Sequence, residues 1–214
     1  RLGKISSLRI ICGMLRTMIY VGVYIGWGIS IYKRVIQKSV RNVLIFIAEL
    51  IIFWFVVRTT KYFFTMDNQI ARYLWYSYYI PMLFIPVAVL QAAFFLGKSE
   101  EYRLPKWLKG VYIPTAVLVL LVLSNLHQLV FSFPVGSAWS DSHYTYGWGY
   151  YVVLVWEVVC ALTAFVLMIY KCRHSQKKKY LPLLGIGAAV LYAVLFISGV
   201  TWVQEIGGDI TAVL

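Results

Sequence analysis

Lysine and arginine are confined to every second connection between long apolar runs, and that pattern leaves few ways to fold. Residues 33–41 (KRVIQKSVR), 97–109 (GKSEEYRLPKWLK) and 171–180 (KCRHSQKKKY) together carry thirteen Lys or Arg. The connections that alternate with them, 65–75, 132–148 and 204–209, carry one, Arg72. Loops rich in Lys and Arg stay cytoplasmic, so a bias this large orients each span. The expectation is a multi-pass protein of the cell (plasma) membrane with its basic loops in the cytoplasm.

Six runs hold the ~20 apolar residues that a helix needs to cross the bilayer core. They are 14–32, 42–64, 76–96, 110–131, 149–170 and 181–203, and a seventh starts at about 210 (ITAVL) and is cut off at Leu214. The predicted fold is an all-α membrane protein, a seven-transmembrane helix bundle of six complete spans and the start of a seventh. It forms a single domain over 1–214 with its N-terminus outside. The short connections predict antiparallel neighbours. The first apolar run is long enough to be a stable span, and no cleavable signal pattern precedes it.

Composition excludes the soluble classes. Hydrophobic residues make up 61% of the chain and charged residues 13%; soluble domains hold about 45–50% and roughly 25%. A net charge of +12 raises the question of nucleic acid. The cations flank apolar runs without a basic–aromatic repeat, so orientation and lipid headgroups account for them and nucleic acid is not an expected partner. Cys12, Cys160 and Cys172 lack any metal-ligand or disulfide spacing. Arg1, Lys4, Arg9 and Arg16 sit on the side expected to face outward. They form either a basic lead-in at the headgroups or, with Arg9 and Arg16 two turns apart, a face packed inside the bundle.

Proline and aromatic residues punctuate the runs. Pro114 and Pro182 fall in first turns, where a missing N–H costs little. Pro81 and Pro86 lie inside the third span and predict a kink, which either lines a cavity or simply packs. Trp75, Tyr76, Tyr78, Tyr79, Trp139, Tyr144, Tyr146, Trp148, Tyr150, Tyr151 and Trp202 crowd the outer ends. An interfacial belt explains most of them. The loop 132–148 is denser in aromatics than anchoring requires and suits a lid over an outward-opening pocket.

Ionisable groups inside spans are costly, so each is a candidate for function with a partner to be named. Arg58 and Glu49 lie in the second run, Asn125, His127 and Gln128 in the fourth, Glu157 in the fifth, and Asp209 opens the seventh. Glu49 and Arg58 are about 13 Å apart along one helix and cannot pair. A network of Arg58 with Glu157 or Asp209, bridged by Asn125 or His127, either binds a ligand or only joins helices. His127 reads better as a packing histidine, and Glu49 as structural. No HExxH, GxSxG, Gly-rich phosphate loop or intramembrane aspartate pair is present, so no catalytic residue, metal or cofactor is expected.

Five segments in register carry a resemblance: YLWYSYYIPMLFIPV (73–87), YRLPKW (102–107), SNLHQLVF (124–131), YTYGWGYYVVLVWE (144–157) and GGDIT (207–211). In order and spacing the chain resembles the seven-transmembrane N-terminal sensor region of bacterial membrane histidine kinases. The resemblance implies an outside N-terminus and a seventh helix opened by GGDIT. It also implies a homodimer and a downstream cytoplasmic kinase acting on a response regulator in two-component signal transduction. By pattern it adds Trp75, Asn125, His127, Tyr146, Gly147 and Asp209 as site residues. The expected function is a receptor for an unknown small-molecule ligand that controls this kinase. The alternative is a small-solute transporter or channel subunit, for which inverted repeats and matched broken helices would be the sign; no internal symmetry is evident.

Overall fold

The computed structural model describes residues 2–35, 37–61, 69–99, 101–133, 144–175 and 181–197. The start of the seventh span, Asp209, Trp202, Trp139 and most of the 132–148 loop lie outside the described residues. So do Arg1 and the side chains of Lys4, Arg9 and Arg16.

Among the described residues, eight α-helices follow the apolar runs: α1 (Leu2–Arg34), α2 (Lys38–Lys61), α3 (Gln69–Tyr76), α4 (Tyr79–Phe95), α5 (Lys106–Gly110), α6 (Tyr112–Ser124), α7 (Trp148–Ser175) and α8 (Leu181–Ile197). Among the described residues, four helical stretches are long and apolar enough to cross a membrane: Lys38–Lys61, Gln69–Phe95, Lys106–Ser124 and Trp148–Arg173. A shorter apolar helix spans Leu183–Leu195. The predicted first run, 14–32, lies inside the longer α1. One small departure from an all-α bundle is a two-residue antiparallel pair, β1 (Phe131–Ser132) and β2 (Thr145–Tyr146), with Phe131 opposite Tyr146.

Two breaks in the helices share one cause. Proline offers no N–H to the carbonyl four residues back and its ring crowds that carbonyl. Four residues before Pro81 stands Ser77, at the gap between α3 and α4; the Ile80 N–H takes its carbonyl at 3.1 Å instead. Four residues before Pro114 stands Gly110, where α5 gives way to α6. Pro86, by contrast, lies within an unbroken α4. The predicted kink is thus a break at Ser77–Tyr78, ahead of both prolines.

α4 is the central helix and packs against α2, α6, α7 and α8. Leu83, Val87, Ala88, Ala92 and Ala93 on it are fully buried. In lipid no hydrophobic force joins helices, and small residues such as Ala88 and Ala92, one turn apart, let backbones approach. On α7, Val155, Val159, Leu162 and Val166 are exposed at helical spacing. An apolar stripe of this kind needs an apolar partner, and hydrocarbon supplies it.

The basic connections share one end of the bundle. Gln37 Nε2 donates to the carbonyls of Lys98 (3.4 Å) and Ser99 (3.5 Å), joining the first to the second. Lys171 Nζ donates to the carbonyls of Ala93 (2.9 Å) and Phe94 (2.8 Å). A cation here meets the negative, unpaired end of the α4 backbone. Gly97, at φ +76°, turns the chain out of α4 just beyond it.

Candidate functional site

The aromatic end is organised by one asparagine. Asn125 ends α6 in the left-handed region (φ 39°, ψ 44°), a conformation Asn tolerates through local hydrogen bonds. Its Oδ1 accepts from the backbone N–H groups of Val130 (3.0 Å) and Phe131 (2.9 Å). Its Nδ2 donates to the Phe131 carbonyl (2.8 Å) and the Tyr76 hydroxyl (3.1 Å). His127 and Gln128 also have positive φ. The fourth helix therefore stops at Ser124 rather than near 131.

Phe131, fully buried, is the hub of the rings around that turn. Trp75 (4.6 Å between centroids), Tyr76 (5.6 Å, stacked), Tyr79 (5.5 Å) and Tyr144 (5.5 Å) surround it. Tyr146 stacks on Tyr150 at 3.9 Å. Arg72 donates from Nε to the Tyr76 hydroxyl at 3.1 Å, its guanidinium 5.3 Å from that ring centre. Two glycines let α7 begin against the turn. The Gly147 N–H donates to the Val130 carbonyl (2.9 Å) and the Gly149 N–H to that of Leu129 (3.0 Å). A Cβ at Gly147 would run into the Leu129 carbonyl oxygen.

Below this assembly the buried polar side chains of the described residues number four: Gln91, Thr115, Asn125 and Glu157. Gln91 Oε1 accepts from the Tyr112 hydroxyl (3.1 Å), and Thr115 Oγ1 accepts from Trp156 Nε1 (3.1 Å) and donates to the Val111 carbonyl (2.8 Å). With Asn125, three of the four are therefore engaged. Glu157 is the exception. It is 2% exposed, and its Oε1 has no hydrogen-bond partner among the described residues. Nine residues past Trp148, it sits about 13 Å down α7, near mid-depth of a ~30 Å core.

Glu157 lines a cavity of about 370 Å³ between α1, α2, α4, α7 and α8. Tyr24, Trp27, Trp54 and Phe55 supply aromatic wall, while Pro81, Met82 and Pro86 bring α4 to its edge. None of the sixteen lining residues is a cation.

The structure distributes the predicted site residues over three places. Trp75, Asn125 and Tyr146, with Gly147, belong to the aromatic turn. Arg58 and His127 are exposed and Arg58 does not line the cavity, so neither joins Glu157 there. Asp209 lies outside the described residues. Sequence reasoning did not single out the aromatic wall from α1 and α2. Its apolar periodicity is shared with every other span.

A family model described as the N-terminal 7TM region of histidine kinase matches residues 11–214. Among curated proteins and solved structures, nothing matches the chain. Apolar helices, a basic end and a match over nearly the whole length agree: the chain belongs to the N-terminal seven-transmembrane region family of histidine kinases.

Proposed function

We propose that this region is the signal-sensing part of a bacterial two-component receptor, and that it controls a histidine kinase domain downstream. Its N-terminus is outside, seven spans cross the plasma membrane, the basic loops face the cytoplasm, and the protein works as a homodimer that phosphorylates a response regulator. The observation that carries the reading is the Glu157 carboxyl, whose Oε1 has no hydrogen-bond partner among the described residues, lining an apolar cavity in a chain of this family. A group that is costly to bury and is left unpaired is where a ligand has most to gain. Of the residues expected at the site, Glu157 forms the centre and Asp209 stays a candidate. Trp75, Asn125 and Tyr146 hold the outer turn over it. Arg58 and His127 are assigned to the surface.

Signalling requires the ligand to favour one helix arrangement over another. α4 is the element suited to this, since Pro81, Met82 and Pro86 line the cavity and its far end receives Lys171. The test is autophosphorylation of the natural full-length protein in lipid nanodiscs. Glu157→Gln should shift the basal rate by roughly fivefold or more, the scale of a modest site-to-site coupling, and Arg58→Ala should leave it within twofold. A full-length protein that does not phosphorylate itself from ATP would sink the kinase reading, and solute flux into proteoliposomes would then be measured.

A further inference from the structure

We propose that the cavity at Glu157 is a binding site for a membrane-partitioned organic amine, an ammonium group on an apolar body. The proposal deepens the sensor reading and rests on it. About 370 Å³ lies in the ~300–1,000 Å³ range of small-molecule sites. A carboxyl taken out of water keeps its charge only beside a paired cation and hydrogen-bond donors. Among the described residues Glu157 has neither at Oε1, and no cation lines the space. An ammonium supplies both charge and donors.

The walls favour the same chemistry. Rings of Trp and Tyr attract a cation to their faces when water is excluded, and Tyr24, Trp27 and Trp54 line the cavity. The Met82 carbonyl on α4 has lost its ordinary helical donor to Pro86, so the α4 wall adds an acceptor and no competing donor at that position. A neutral alcohol of the same shape fills the volume and leaves the carboxylate without a counter-charge. An acid is repelled. Selectivity for amine over alcohol is thus the signature of this site.

The experiment uses the full chain in nanodiscs and two probes of one shape, 2-naphthylmethylamine and 2-naphthylmethanol. Empty nanodiscs subtract partition into lipid. Saturable binding of one amine per chain, at least tenfold tighter than the alcohol, is expected, and in Glu157→Gln the preference should fall below twofold. Ala193→Phe keeps the carboxyl and fills the cavity from α8, so it should remove binding of both probes; this variant decides the matter if Glu157→Gln fails to fold. Equal binding of the two probes, a preference that survives Glu157→Gln, or amine binding intact in Ala193→Phe would each overturn the site. Absence of saturable binding overturns it too. Amine binding without any change in autophosphorylation would leave the site standing and remove the sensor reading. Autophosphorylation that responds to Glu157→Gln without amine binding would do the reverse.

Discussion

Asn125 uses both ends of its amide, and that decides its role. Four hydrogen bonds tie it to Tyr76, Val130 and Phe131, leaving nothing to offer a ligand. Asn125→Ala strands buried donors and an acceptor, at ~1–3 kcal/mol for an unsatisfied group, and takes away the local hydrogen bonds that let Asn hold a left-handed turn. A loss of ~1–3 kcal/mol or more in detergent unfolding is expected, with binding at Glu157 unchanged in molecules that remain folded. Gly147→Ala sets a methyl against the Leu129 carbonyl oxygen. Backbone gives way poorly, so ~1–3 kcal/mol or more is expected by the same measurement. Residue types alone showed that Asn125 and Glu157 were expensive. They did not show that one is satisfied and the other is not, because hydrogen bonds to Val130 and Phe131 depend on a turn that no periodicity announces.

At the scale of elements, the apolar runs located the helices, and of the two prolines expected to kink the third span Pro81 follows the gap between α3 and α4 while Pro86 leaves α4 unbroken. Pro81→Ala returns an N–H to the Ser77 carbonyl and removes the ring that crowds it, so α3 and α4 should join into one helix. Hydrogen–deuterium exchange over residues 77–82 is expected to slow by an order of magnitude; unchanged exchange would mean that packing around Tyr76 sets the break. Lys171→Met leaves the carbonyls of Ala93 and Phe94 without their charged donor. Hydrogen bonds to charged groups are worth about 1.5–3 kcal/mol, so a loss of that order in unfolding is expected. The end of the fourth helix was not legible, because hydropathy reports partition into lipid and not backbone dihedrals. Leu126, Leu129, Val130 and Phe131 stay apolar beyond Ser124, yet Asn125 has already turned the chain. The cavity was hidden for a related reason. Its walls come from five helices, and only their relative rotation distinguishes a wall from a lipid-facing side.

For the whole molecule, segregation of charge was the most legible property, and the hydrogen bonds from Gln37 and Lys171 gather the basic connections at one end. A cysteine introduced at Lys106 is therefore expected to react with a membrane-impermeant maleimide only after cells are opened; reaction on intact cells would invert the topology. The joint at Gly147 has a mechanical meaning. It pins the start of α7 to the turn that follows α6, so a tilt of α7 pivots there and is largest toward its distant tip, where Lys171 ties it to α4. A rigid rod of 28 residues, about 42 Å long, moves that tip by roughly 2 Å for every 3° of tilt at its pivot. The glycines make a fulcrum, and Glu157, a third of the way along, is where a small push becomes a long stroke.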